Sequence, residues 1–191
     1  MDATNVTASK PKITGSIFSA PKGTKLPTDA VSELDAAFKN LGYVSEEGVT
    51  NSNSPSSDKE KAWGGDVVLN FSTDRPDTFK FKLLEILNVE VLKVVYGDSN
   101  VKGSLEEGIS IDVGNAEYEN RSWVVDMILK GAVKRIVIPT GKITALGDIA
   151  YVDNKSAGYD LTISAEPISA GKYHHEYIKA TNTTTTTGTT S

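Results

Sequence analysis

A chain of 191 residues with 38% hydrophobic content can bury one sizeable core, and its length favours one domain over two. A formal charge of −5 and only three arginines, Arg75, Arg121 and Arg135, argue against a nucleic-acid-binding surface, which needs a basic patch and the guanidinium fork. The absence of cysteine excludes disulfides, a thiolate metal site and a cysteine nucleophile.

In chain order, residues 1–12 form a small, polar and basic arm with no apolar signal core. Nothing later approaches the ~20 apolar residues needed to cross a bilayer. A cytosolic protein, or one that leaves the cytosol without a signal peptide, is expected. The folded domain is expected over 13–180. In "DAVSELDAAFKNLG", Val31, Leu34, Phe38 and Leu41 recur at helical spacing behind Thr28 or Asp29 as N-cap and ahead of Gly42, which predicts a short helix. The twenty residues "EEGVTNSNSPSSDKEKAWGG", 46–65, are too long and polar for a hairpin turn and read as a loop, of the kind that is functional or disordered.

Alternation then takes over. "DVVLNFST" sets Val67, Leu69 and Phe71 against Asn70 and Ser72, and "DTFKFKLLEI" sets Phe79 and Phe81 against Lys80 and Lys82. The intervening "TDRPD" predicts a turn that joins the two as a hairpin. "NVEVLKVVYGD" carries Val91, Leu92 and Val95 on one stripe between Asn88 and Gly97 and predicts a second helix, although its β-branched content suits a strand equally. "GISIDVG", "RSWVVDMILKG", "AVKRIVIP", "KITALGDIAYV", "GYDLTISAEP" and "KYHHEYIKA" continue as short strands, and "TNTTTTTGTTS", 181–191, is a disordered tail. The fold expected is mainly β: an antiparallel sandwich or partial barrel with one or two short flanking helices.

Catalytic chemistry is thinly represented. His174 and His175 are adjacent, so in a strand they point to opposite faces and suit a surface better than a shared metal. "PTGKIT" at 139–144 lacks the upstream glycine of a phosphate loop and reads as a hairpin turn. Glu46–Glu47, Glu106–Glu107 and Asp58–Glu60 sit in polar segments where nothing would raise a carboxyl pKa. Trp123, inside "WVVDMIL", belongs in a core; Trp63, beside Gly64 and Gly65, suits a contact anchor. A β core with polar arms and a long loop describes a protein that works by assembly, with no catalytic constellation and no cofactor. The competing reading is a carbohydrate-binding sandwich, which aromatics at 7% of the chain serve poorly.

The runs "LDAAFKNLGYVSEEGV", "KAWGGDVV", "TFKFKLLEILNVEVLKVVYGD" and "WVVDMILKGAVKRIVIP", in that order within 13–170, resemble the major tail, or tail tube, proteins of long non-contractile-tailed bacteriophages, particularly those infecting actinobacteria. The resemblance implies a tail-tube-like sandwich whose copies form hexameric rings, assembled in the host cytoplasm and stacked into the virion tail. It implies tape-measure, initiator and terminator proteins as further partners, genomic DNA only as transient, non-specific lumen content, and no membrane, cofactor or reaction. In such proteins an early loop reaches a neighbouring copy, which makes Glu46, Glu47, Asp58, Lys59, Glu60 and Trp63 contact candidates, with Lys10 and Lys12 of the arm and the segment after Gly171 beside them. A lumen lined with carboxylates would repel DNA phosphates. Asp126, Asp148, Asp153 and Asp160 are the candidates for that lining, in strands where a one-residue register error reverses the face.

Overall fold

The computed structural model describes residues 5–12, 15–54, 57–72, 76–115, 117–169 and 171–181. Its strands are β1 (Lys10–Pro11), β2 (Ile17–Pro21), β3 (Lys39–Asn40), β4 (Val44–Ser52), β5 (Ser57–Lys61), β6 (Val67–Ser72), β7 (Thr78–Leu83), β8 (Val101–Ser104), β9 (Gly108–Ile111), β10 (Arg121–Leu129), β11 (Ala132–Leu146), β12 (Tyr159–Ala165) and β13 (His175–Ala180); the helix is α1 (Val89–Tyr96). The fold is mainly β and antiparallel, consistent with a sandwich. One sheet runs β3-β2-β10-β11-β12-β7-β4, with β1 added to β10 and β13 to β11, while β5-β6 and β8-β9 are separate two-stranded ribbons.

The sheet is organised around β11, whose fifteen residues serve two neighbours along one edge. Its first half pairs with β13 and its second half with β12. The predicted turn at "PTGKIT" is therefore not a turn. Pro139 has no N–H to contribute, and it sits beside the register shift between Arg121 and Trp123, where the β10 ladder is already irregular.

Strand β10 reads as a continuous apolar run because both its faces are covered. Trp123 and Val125 join Ile136, Ile138, Phe79, Phe81, Leu161 and Ile163 in the main core. Val124 and Val137 point the other way, into a smaller cluster with Ala20 and Phe38. Helix α1 closes the main core with Val91, Leu92, Val94 and Val95. Its start and stop are the predicted ones. The Asn88 side chain accepts from the Glu90 N–H at 3.0 Å, and Gly97, at φ +96°, donates its N–H to the Lys93 carbonyl at 2.8 Å.

The helix expected over 29–42 does not form. Phe38 and Leu41 are both buried, but in the two clusters on opposite faces of the sheet, an arrangement no single helical stripe provides. Two aspartates turn the chain instead. Asp29 Oδ1 accepts the N–H groups of Val31 and Ser32, both at 2.7 Å, and Asp35 Oδ1 accepts that of Ala37 at 2.9 Å. Such local acceptors compete with the helical ladder.

The same hydrogen bonds, from Val31 first and Ser32 second, hold the Asp29 carboxyl below the usual carboxylate range. A depressed folded-state value contributes stability that is complete above the unfolded carboxylate pKa and fades as pH falls through the folded one. Asp29→Asn keeps the acceptor oxygen without the titration. Its urea midpoint is expected to fall less than that of the parent between pH 5 and pH 3, roughly the window in which carboxylates protonate; parallel midpoints in the two proteins would contradict this account.

Candidate functional site

The predicted pairing of β6 with β7 is also replaced. β7 pairs with β4 and β12, and β6 pairs with β5. The chain from β4 to β7 is thus one long antiparallel ribbon, its inner half in the sheet and its outer half, β5-β6, paired among the described strands only with itself. The segment 46–65 is strand on both sides of 53–56 rather than an irregular loop.

The outer turn is closed by the Ala62 N–H to the Asp66 carbonyl at 2.8 Å and the Gly65 N–H to the Ala62 carbonyl at 2.9 Å. Gly64 and Gly65 take φ of +150° and +95°, which a side chain would resist. That turn presents Trp63 at the apex, fully exposed at 105%. Val67, Val68 and Leu69 are exposed by 51%, 61% and 51%. The ladder shifts register between Glu60, opposite Leu69, and Lys61, opposite Val67, so Val67 and Leu69 fall on opposite faces and both faces of the ribbon carry uncovered apolar area. The alternation read from the sequence set Val67 and Leu69 on one face of β6; in the chain alone both are exposed, as is Val68.

The other contact candidates divide. Lys59 and Glu60 are exposed on β5, and the Asp58 backbone pairs with Phe71. Glu46 and Glu47 are exposed where the β4 register shifts between Val44 and Val49 around Gly48, at φ +69°. Lys10 is exposed within β1, which pairs with Met127 and Ile128 of β10, and the Lys130 N–H donates to Thr7 Oγ1 at 2.7 Å. The described part of the N-terminal arm is fastened to its own sheet at Thr7, Lys10 and Pro11. Lys12 lies 3.6 Å from Asp126. Residues 182–191 of the predicted tail lie outside the described residues.

Of the lumen candidates, Asp148 and Asp153 are exposed in the connection between β11 and β12, and Asp160 is half-buried on β12, 3.4 Å from Lys80. Asp126 is a correction. It is 4% exposed, and its two oxygens accept from Arg135 Nε at 2.6 Å and an Arg135 terminal nitrogen at 2.7 Å. A carboxylate so enclosed faces no channel.

His174 corrects a second expectation. Its ring is half-buried edge-on to Phe79, with Nδ1 against Asp77, whereas His175 stacks on Tyr177. The sequence reading passed over Asp77, whose only signal was an acidic residue directly ahead of an alternating strand. Among the described residues no cluster of His, Asp and Glu could hold a metal ion.

A cavity of about 370 Å³ beside the C-terminus of α1 is lined by Tyr96, Asp98, Tyr118 and Arg121. Arg121 is committed there to Ser19 Oγ at 3.0 Å and Asp98 at 3.1 Å. Burial pushes the Tyr118 phenol up, with the charge of Tyr96 adding to it, and Tyr159 rises through burial first and then a side-chain hydrogen bond with Tyr96. Both stay protonated at neutral pH, which suits packing rather than acid–base work.

The family model of the phage tail tube protein matches residues 3–188. The chain belongs to the phage tail tube protein family. As a tail tube protein it is a structural component of the virion tail. No curated protein matches the sequence. Among solved structures, a chain of the extracellular contractile injection system described as "PVC sheath/tube terminator in extended state" is 10% identical, covering 90% of this chain and 98% of that one at a TM-score of 0.34; so loose a likeness carries no functional argument. None of the described helices is long and apolar enough to cross a membrane.

Proposed function

We propose that this tail tube protein is the repeating subunit of a long, non-contractile phage tail, closing into hexameric rings that stack into a tube for genomic DNA. The observation that carries the reading is the β5-β6 ribbon, with Trp63 at its apex and exposed valines and leucine on both faces. Apolar area of that kind is covered when a neighbouring copy packs on it. Two sheet edges add to it. The outer edges of β4 and β13 pair with no described strand, and closure of such edges between copies removes an aggregation hazard. Glu46 and Glu47, on the irregular part of β4, and Lys59 and Glu60, on the ribbon, supply charges at the rim of these contacts.

Asp148, Asp153 and Asp160 are the remaining candidates for an acidic lumen, where like charge keeps the duplex from adhering. Assembly in the host cytoplasm, guided by tape-measure, initiator and terminator proteins, belongs to the same reading.

Negative-stain microscopy of concentrated protein, with size-exclusion chromatography beside it, tests this directly: hollow tubes or six-fold rings are expected. Trp63→Ala should leave the melting temperature within about 2 °C of the parent, because an exposed side chain contributes little to the monomer. The same variant should abolish or strongly delay tube formation, since central aromatic anchors dominate interface energy. A Trp63→Ala protein that assembles at the parental concentration would remove the ribbon apex from the interface.

A further inference from the structure

The ribbon is fastened at its root by a group of side chains that the assembly reading does not use. Asp77 is the residue at which the chain leaves the outer ribbon and enters β7, and it is fully buried. Its Oδ1 accepts from Nδ2 of Asn51, at 2.8 Å, on the strand by which the chain enters the ribbon. Its Oδ2 faces Nδ1 of His174, on the segment leading into β13. The Asp77 carbonyl accepts the Ala165 N–H of β12 at 2.8 Å, and Asn51 Nδ2 also reaches the Thr78 carbonyl at 3.1 Å. Four stretches of chain meet at this one residue, and two of them, through Asn51 and His174, meet at its carboxylate.

The surroundings make that meeting exacting. The His174 ring stands at 83° to Phe79 with centroids 5.2 Å apart, and its Nε2 is 3.8 Å from Glu176 Oε1. Asp77 and Glu176 are the charged groups that face the ring; Phe79 on β7, Asn51 on β4 and Ala165 on β12 bring none. A carboxylate shut away from water is tolerable only while its donors are in place, and removing one leaves desolvation uncompensated. Just beyond the root, residues 53 and 54 leave the ladder, whose last pair is Ser52 with Thr78. The root is thus where the strand pairing of β4 with β7 ends, next to the buried Asp77 carboxylate.

We propose that Asp77, Asn51 and His174 form a clasp that sets the direction in which the β5-β6 ribbon leaves the sheet, with His174 as the positioning residue that ties it to the C-terminal strand. A ribbon held in one direction meets its partner with less ordering to lose, so the clasp pre-organises the contact that the assembly reading assigns to Trp63. The inference about ribbon direction holds in the free chain; only its consequence for assembly rests on that reading.

The chain contains no cysteine, so Lys61→Cys on the ribbon and Lys155→Cys on the body can be spin-labelled without background, both positions being exposed. Pulsed dipolar spectroscopy on dilute, unassembled protein is expected to show one narrow distance population. His174→Ala should lose it in favour of a broad distribution, and His174→Asn, whose Nδ2 can take the place of Nδ1 as donor, should restore it. Equal distributions in the parent and His174→Ala, or a parent already broad, would overturn the clasp. If His174→Ala loses the near-ultraviolet signature of the Trp123 core, Asn51→Ala removes the other donor and is judged by the same two criteria. Tube formation is scored separately on the unlabelled proteins. A parent that never forms tubes counts against the assembly reading and leaves the distance result standing.

Discussion

Asp126→Ala is expected to destabilise the fold by about 3–5 kcal/mol, the loss seen when one member of a buried ion pair is removed. Arg135 is 1% exposed and sits opposite Asp126 across the β10-β11 ladder. Beyond its two bonds to that carboxylate, it donates to the carbonyls of Ser32 at 2.8 Å and Asp29 at 3.3 Å. One guanidinium thus joins the central strands to the segment that covers the smaller core. Without Asp126 its charge is left in a dry site with Lys12 nearby, and the cover over Phe38 loses its anchor. The paired replacement Asp126→Leu with Arg135→Met should cost markedly less, because it removes both charges and their desolvation together. Chemical denaturation followed by far-ultraviolet circular dichroism separates the cases. If Asp126→Ala loses under about 1 kcal/mol, the figure typical of exposed pairs, the pair is not the tie described.

Trp123→Ala should cost a similar amount, about 3–5 kcal/mol, as large core truncations do. The indole is fully buried, packs edge-on to Phe81 at 6.2 Å, and donates Nε1–H to the Gly141 carbonyl at 3.0 Å. Gly141 is there for room. A Cβ on it would stand 2.8 Å from Ile163 Cγ2 and 3.1 Å from the indole Cδ1. Gly141→Ala alone should therefore cost about 1–3 kcal/mol by overpacking. In the Trp123→Ala background the added methyl enters vacated space, so the second loss should shrink well below the first, a coupling that a double-mutant cycle reads directly. Additive losses would mean that Ile163, the nearer neighbour, and not the tryptophan sets the room at Gly141.

What the sequence determined by itself is everything local enough to be written in neighbouring residues. The mainly β character follows from period-2 alternation, and α1 from Asn88, a stripe of valines and leucine, and Gly97. Trp123 was legible as core from its apolar neighbours, and Trp63 as exposed from its polar ones. The family was legible too, in long runs of sequence rather than in any catalytic motif. Only the tertiary structure decided the partners. Alternation shows that 67–72 is a strand but not whether β5 or β7 lies beside it, because both pairings keep the same period and differ only in which segments close on each other. The spacing of Phe38 and Leu41 fits one helical face, yet the sheet places them on its two sides. Pro139 and Gly141 look like a turn until β10, β12 and β13 are there to hold them in one strand. Asp126 reads as a surface acid until Arg135, nine residues on, is brought across the ladder to enclose it. In each case the deciding term is the burial of one segment by another far away in the chain, a free energy that no window of adjacent residues contains.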